Sequence, residues 1–289
     1  MKEITILSGK GGTGKTSFTA ALASVAQNAV LCDNDVDAAD LHLLLQPKVM
    51  ESFAFESGCY AIINDESCSG CGLCYENCRF KAIDLHENGS YSVNTFLCEG
   101  CKLCERICPE QAVSTKVNNN NSWYISSTRH GVMVHAKMGP GEENSGKLVS
   151  KIRSKAKEIA KENNADFIIN DGPPGIGCAA ISSISGTNLV VLVTEPTKSG
   201  LNDAGRLVEL VKSFNIPVVG IINKADINRT ISHQLETFFY KNNISLLAKV
   251  PFNRQWVESM VAGKTIVEFA PESELSQQIQ NVWKSITEN

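Results

Sequence analysis

Short apolar runs punctuate the chain. Ile4–Leu7, Ala29–Cys32, Gly131–Ala136, Phe167–Asp171, Leu189–Thr194, Val218–Asn223 and Leu246–Val250 are each of strand length and rich in leucine or β-branched residues. Runs of this kind predict buried strands. The segments between them predict helices: one after Lys15, a short apolar one at Leu41–Leu45, a basic amphipathic one over Leu148–Glu162, one over Ala204–Phe214 and a closing one over Ser273–Thr287. Strand alternating with helix predicts an α/β fold whose mostly parallel sheet carries helices on both faces. The alternation stops after Pro47 and resumes at Trp123, with Asn118–Asn121 reading as a linker. The expected organisation is a discontinuous main domain, 1–57 and 119–289, interrupted by an inserted domain, 58–118.

Composition narrows the class. A hydrophobic content of 43% over 289 residues is that of a globular protein with a sizeable core. A net charge of −4 argues against a nucleic-acid partner, which would need a basic face. No apolar run reaches membrane-spanning length, and the chain starts in a core strand, so no membrane role and a cytoplasmic location are expected. The lysines of 148–162 read as a solvated face, and the closing helix, with a single lysine, lacks the basic amphipathic character of a membrane anchor. Eleven cysteines need a purpose, since disulfides are rare in the cytoplasm; eight lie between Cys68 and Cys108, so the purpose is local.

The first strand runs into Gly9-Lys10-Gly11-Gly12-Thr13-Gly14-Lys15-Thr16, and a helix follows through Ser17. Gly9, Gly14, Lys15 and Thr16 satisfy the phosphate-loop spacing in its strand–loop–helix context. Glycines let successive backbone N–H groups converge on one oxyanion, and the helix adds its positive N-terminal end. Lys15 is expected at the β- and γ-phosphates and the Thr16 hydroxyl on Mg²⁺. Two further strands end in carboxylates, Asp33-Asn34-Asp35-Val36-Asp37 and Asp171-Gly172-Pro173-Pro174-Gly175, where open α/β sheets bind ligands. Asp171 fits a Mg²⁺-holding role, and Gly175 belongs to a loop whose N–H can meet the γ-phosphate. Asp33 and Asp37 read equally well as helix caps. Asn223-Lys224-Ala225-Asp226 spells the guanine-reading N-K-x-D pattern.

The insert carries Cys68-Ser-Gly-Cys71-Gly-Leu-Cys74-Tyr-Glu-Asn-Cys78 and, thirty residues on, Cys98-Glu-Gly-Cys101-Lys-Leu-Cys104-Glu-Arg-Ile-Cys108. Each block is C-x₂-C-x₂-C-x₃-C. Gly70/Gly100, Leu73/Leu103 and Ala82/Ala112 also correspond, as in a duplicated half-site. Three thiolates within seven residues can wrap one corner of an iron–sulfur cube, the fourth coming from elsewhere. Cys₄ zinc sites also use C-x₂-C pairs, though a third crowded cysteine suits them less.

These motifs resemble known families. The insert looks like a two-cluster bacterial ferredoxin, a small α+β domain. That resemblance implies one [4Fe–4S] cluster on Cys68, Cys71, Cys74 and Cys108, and a second on Cys98, Cys101, Cys104 and Cys78; Arg79 departs from the proline usual there, while Pro109 keeps it. The phosphate loop, with Lys10 after its first glycine, resembles the deviant loop of the P-loop ATPase class that includes MinD, ParA, the nitrogenase iron protein and the Mrp-type carriers. The resemblance implies an ATP-dependent homodimer in which Lys10 reaches the partner's nucleotide. It also implies a water-orienting switch residue at Asp35 and an adenine contact at Asn223, so ATP rather than GTP. Cys178 lies where the nitrogenase iron protein places a cluster ligand, but no cysteine stands at the counterpart of that protein's second ligand, in the loop Gly139–Gly146. The whole chain resembles a MinD-superfamily ATPase with an inserted two-[4Fe–4S] ferredoxin. That implies ATP hydrolysis coupled to electron transfer with a redox protein as partner; a cluster carrier or assembly ATPase is the alternative. A membrane-positioning ATPase like MinD fits eight cluster cysteines least.

Overall fold

The structure is a computed structural model that describes residues 1–56, 58–118, 121–139 and 145–288. In chain order the first elements are β1 (Lys2–Ser8), α1 (Lys15–Val25), β2 (Ala29–Asp33), α2 (Leu41–Leu45) and β3 (Lys48–Phe55). The cysteine-rich segment supplies β4 (Cys59–Ile63), α3 (Leu73–Glu76), β5 (Ile83–Leu85), β6 (Tyr91–Val93), α4 (Leu103–Ile107) and β7 (Val113–Val117). Then come β8 (Asn121–Thr128), β9 (Gly131–Lys137), α5 (Ser145–Glu162), β10 (Phe167–Pro174), α6 (Cys178–Ile184), β11 (Leu189–Thr194) and α7 (Lys198–Ser213). The chain closes with β12 (Val218–Asn223), α8 (Arg229–Lys241), β13 (Ser245–Val250), α9 (Gln255–Val261), α10 (Ile266–Phe269) and α11 (Glu274–Glu288).

The chain forms two compact units. The first holds Met1–Phe53, Trp123–Lys137 and the chain from Ser145 on; the second holds Ala54–Ser122 with Met138 and Gly139, so the divisions fall within β3 and β8.

The first unit is built on a sheet of order β13-β12-β11-β1-β10-β2-β9-β8-β3. The pairs from β13 to β9 are parallel, with Ile4 of β1 opposite Ile169 of β10 and Leu189 of β11. From β11 through β1 and β10 to β2 both faces are buried, which is why these strands read as unbroken apolar runs. Along β11 the side chains alternate: Val191 and Val193 join Phe18 and Leu22 of α1 and Ile279 and Val282 of α11, whereas Val190 and Leu192 join Leu207 of α7 and Phe239 of α8. Each large side chain so buried contributes about 1.5–3 kcal/mol. Helix α5 seats against the sheet partly through charge. Arg153, buried on α5, pairs with Glu3 of β1, and Asn170 of β10 donates to the same carboxylate over 3.0 Å.

Three local features differ from the sequence-based expectation. Lys48–Phe55 forms a sheet-edge strand, although the α/β rhythm ends at Pro47; most of its side chains are exposed, so the apolar pattern of a core strand is missing. Asn121, read as linker, opens β8 and is fully buried, its Oδ1 accepting the Gly139 N–H over 2.9 Å. Helix α5 begins at Ser145 rather than Leu148; residues 140–144 of the preceding loop, where a second Cys178-type ligand would have to lie, are outside the described residues.

In the second unit β4 pairs with β7 and β5 with β6, both antiparallel, and α3 and α4 begin inside the two cysteine blocks. Among the described residues its buried apolar positions are Ala61, Cys74, Ala82, Ile83, Ala112 and Val113. So little apolar surface is a thin core, the situation in which small folds rely on metal centres.

Candidate nucleotide site and cysteine cavities

The phosphate loop joins the carboxyl end of β1 to the start of α1. Gly14 closes it at φ 94°, a left-handed conformation that glycine adopts without strain. A Cβ there would also lie 2.5 Å from Asn223 Nδ2. That close approach is structural: Asn223 Nδ2 donates to the Thr13 carbonyl over 2.8 Å, and Lys224 Nζ donates to the Gly12 carbonyl over 3.0 Å. The end of β12 thus holds the loop open for a ligand. The Thr13 hydroxyl is buried without a partner, as a donor reserved for an oxyanion would be.

Four charges meet at the head of the loop. Lys15 Nζ lies 3.0 Å from Asp171 and 3.4 Å from Asp35. The hydroxyls of Thr16 and Thr19 donate to the two oxygens of Asp171, each over 2.7 Å. Burial works against the Lys15 ammonium, but Asp171, Asp35 and Asp33 overcome it and hold its pKa above the ordinary lysine value. Burial likewise raises the carboxyls: Asp33 goes well above the usual range, and Asp35 up to about 6 with Lys15 opposing the rise. The set of Thr16, Asp171 and Asp35 is all hard oxygen with excess negative charge, which fits Mg²⁺. Of the two doubtful acids, Asp33 takes the capping role. Its carboxylate accepts the Asp35 N–H at 3.2 Å and the Leu41 N–H at 3.3 Å, pinning both ends of the Asn34–Asp40 turn. Asp37 is exposed.

Lys10 forms an ion pair inside its own chain, 2.7 Å from Glu195 Oε1, and Lys224 takes Glu195 Oε2 at 2.9 Å. Burial alone would raise the Glu195 pKa; the two lysines outweigh it and lower it. Gly175 departs from expectation. The strand β10 runs on through Pro174, past a register shift against Ile6–Ser8 of β1, and the Gly175 N–H donates to Ser8 O over 3.0 Å.

A cavity of about 460 Å³ opens beside the loop. Gly11, Gly12, Ser17, Asp35 and Asn223 line it, as the sequence placed them, together with Phe252, Trp256 and Met260, which it did not. These last follow β13 with no motif to mark them. Thr19 was also missed, although its position one turn past Thr16 was a usable signal. Asp226, the acid of N-K-x-D, is engaged elsewhere: its Oδ1 accepts the Phe252 N–H over 2.6 Å.

In the second unit the cysteines gather around two cavities. Cys68, Cys71, Cys74 and Cys108 line one; Cys78, Cys98, Cys101 and Cys104 line the other, which Cys74 also borders. Each set draws three cysteines from one block and the fourth from the other. Ligands of one zinc ion stand about 3.8 Å apart, from a Zn–S bond of about 2.3 Å. Among the described residues no three cysteine, histidine or acidic groups converge in that way. Cysteines around the rim of a cavity suit a larger group, and four thiols per cavity fit an iron–sulfur cube. Backbone N–H groups already point at the sulfurs: Ala112 at Cys108 (3.3 Å), Ala82 at Cys78 (3.4 Å) and Ala61 at Cys98 (3.4 Å). Burial pushes the thiols of Cys74 and Cys104 up. Outside these sets, Cys32 is buried in β2, Cys59 donates to Gly100 O over 3.5 Å, and Cys178 is exposed.

Comparison with known proteins agrees with both halves. Residues 145–287 match the ParA group described as NUBPL iron-transfer P-loop NTPases, and residues 61–115 match the 4Fe-4S dicluster domain. An uncharacterised protein of Methanocaldococcus jannaschii is 33% identical over 290 residues, covering 99% of this chain and 96% of that one. An iron-sulfur cluster carrier protein of Rickettsia bellii is 34% identical over 111 residues, 37% of this chain and 34% of the carrier. Among solved structures, the cell division ATPase MinD of Pyrococcus furiosus matches with a TM-score of 0.58 and 18% identity, covering 99% of this chain and 98% of MinD, a likeness of fold. The chain belongs to the ParA/MinD-like P-loop NTPases, in the NUBPL iron-transfer family, with a 4Fe-4S dicluster ferredoxin domain. Among the described residues no helix is long and apolar enough to cross a membrane.

Proposed function

We propose that this is an ATP-binding and ATP-hydrolysing cytoplasmic iron–sulfur protein that couples nucleotide-driven switching of a homodimer to electron transfer with a redox-protein partner. Lys15, Thr16, Asp35 and Asp171 hold MgATP and the attacking water, Lys10 leaves Glu195 for the partner's nucleotide, and Asn223 and the cavity wall take the adenine. Two [4Fe–4S] clusters, held by Cys68, Cys71, Cys74 and Cys108 and by Cys98, Cys101, Cys104 and Cys78, would supply single-electron chemistry. One observation carries the reading: four cysteines line one cavity and those of the second set, with Cys74, line another, in a chain that also has a complete phosphate loop. The chain's connectivity supports coupling. The Asp35 turn leads through α2 and β3 directly into the cysteine-rich unit, and β8 leads out of it beside β3. The test is chemical analysis of anaerobically purified protein with an ATPase assay. About eight iron and eight sulfide per chain, with Mg²⁺-dependent ATP turnover, are expected; zinc without sulfide would refute the reading.

A second reading, an iron–sulfur cluster carrier, is favoured by the match to iron-transfer NTPases and carrier proteins. Against it, every C-x₂-C pair of the sequence already lines one of the two cavities. Transfer of iron and sulfide from this protein to an apo-acceptor, quenched by mutating an exposed pair, would establish it.

A further inference from the structure

The two cysteine blocks have nearly the same backbone and different charges. Gly70 and Gly100 are left-handed at φ 70° and 60°, and Lys81 and Gln111 at φ 51° and 51°. Between the second and third cysteines, Gly72 has φ 77° and its counterpart Lys102 has φ 62°. Glycine adopts that conformation freely; a lysine does so only against its steric preference. The duplicated fold therefore bears a strained residue at the one position where its sibling shows the unstrained choice. Lys102, an exposed residue, is among those lining the cavity formed by Cys78, Cys98, Cys101 and Cys104.

Other differences point the same way. After the fourth cysteine of each block the chain reads Arg79-Phe80 in one and Pro109-Glu110 in the other. Phe80 lines the Cys78 cavity, with the Arg79 guanidinium 5.1 Å from its ring centre. Glu110 lines the Cys68 cavity. Among the described residues, the charged lining of the Cys78 cavity is Lys102 and Glu99, with Arg79 behind Phe80 outside the lining, whereas that of the Cys68 cavity is Glu110. Backbone N–H groups donate to sulfurs of both sets, Ala82 to Cys78 and Ala61 to Cys98 in one and Ala112 to Cys108 in the other. A cluster gains negative charge when reduced, so nearby cations and N–H donors to its sulfurs favour the reduced form and raise its potential.

Resting on the two-cluster reading above, we infer that the centre held by Cys78, Cys98, Cys101 and Cys104 has the higher potential, and that Lys102 is a tuning residue that sets the gap. A single electron delivered by a one-electron reductant comes to rest there; exchange between the centres oxidises the Cys68 centre by one electron as it reduces the other. Electrons then leave for the acceptor from the Cys78 side.

The experiment is an EPR-monitored dithionite titration of the full-length protein, after iron and sulfide analysis has shown both centres present. Lys102→Gly removes the cation and relieves the backbone, so the fold is kept. Two one-electron steps are expected. Lys102→Gly shifts the upper midpoint down and leaves the lower one in place; Glu110→Gln shifts the lower midpoint up and leaves the upper one. Coincident midpoints in the wild type, an upper step unmoved by Lys102→Gly, or a lower step moved by it overturns the inference. Missing sulfide instead overturns the two-cluster reading on which it rests.

Discussion

Lys15 and Asp35 face each other across 3.4 Å at the head of the phosphate loop, and Asp35 is the acid whose pKa burial lifts to about 6. A folded-state value above the ordinary 3.8 means that the folded protein holds this proton more tightly than the unfolded chain. In Mg²⁺-free buffer, the stability contributed by Asp35 is therefore present at low pH and lost as pH rises from about 4 to about 6. Mg²⁺ needs the ionised carboxylate, so its affinity rises over the upper part of the same range. Asp35→Asn should flatten both dependences, measured by urea denaturation and by calorimetric Mg²⁺ titration at a series of pH values.

The Thr16 and Thr19 hydroxyls both donate to Asp171, which also faces Lys15. Asp171→Asn keeps the shape and removes the charge proposed to hold Mg²⁺. Steady-state hydrolysis should fall by about 100-fold, equivalent to about 2.7 kcal/mol of barrier. Lys15→Ala should abolish hydrolysis outright. A Lys15→Ala protein that turns over near the wild-type rate would remove the phosphate loop from the mechanism.

Because Lys10 pairs with Glu195 within the chain, the proposed ATP-bound dimer would have to break that pair. Lys10→Ala should leave a folded monomer that no longer dimerises with ATP, and Glu195→Gln should favour the dimer. Light scattering with and without ATP reads both. Dimerisation of Lys10→Ala at the wild-type ATP concentration would exclude the trans role of this lysine.

The engagement of Asp226 by the Phe252 N–H leaves that carboxylate poorly placed to read guanine. ATP should outcompete GTP by about tenfold or more, a difference of about 1.4 kcal/mol, despite the N-K-x-D spelling. Competition binding with a fluorescent ATP analogue decides it, and a GTP preference would contradict the base assignment.

Arg129, in the turn between β8 and β9, fastens three elements of the first unit. It donates to Leu44 O at 2.7 Å and Leu45 O at 3.0 Å at the end of α2, and to Glu268 Oε2 of α10 at 2.8 Å. Burial alone would raise the Glu268 pKa, but Arg129 and the Thr265 N–H bring it down to about 2. With the folded value depressed, its contribution is present above pH 4.5 and is lost as pH falls toward 2. Arg129→Ala should destabilise by about 2–4 kcal/mol in urea at pH 7, since it leaves carbonyls and a carboxylate without partners.

What could be read from the sequence depended on the kind of signal. The strands from β1 to β13 that lie in the core were legible because burial on both faces leaves continuous apolar runs such as Leu189–Thr194. β3 was not, because an exposed edge imposes no such pattern. The phosphate loop and the cysteine blocks were legible because their chemistry fixes spacing within a few residues. Glu195, Phe252 and Trp256 were not, since they reach the site from distant parts of the chain and belong to no local pattern. Asp35 stood apart from Asp33 and Asp37 only through the family resemblance; the structure adds the Leu41 N–H at Asp33 and the Lys15 ammonium 3.4 Å from Asp35. The glycines after Asp171 suggest a loop, whereas β10 continues through Pro173 and Pro174 and the Gly175 N–H meets Ser8 O.

The central claim is that the nucleotide site and the cysteine-held centres act on one another, and stopped-flow oxidation of the dithionite-reduced protein by a one-electron dye tests it most directly. A ligand can alter the centres only through a difference in its affinity for two arrangements of the chain. The account predicts different dye-oxidation rates with MgATP, with MgADP and without nucleotide, and loss of the difference in Asp35→Ala with iron and sulfide unchanged. Equal rates in all three conditions would contradict it.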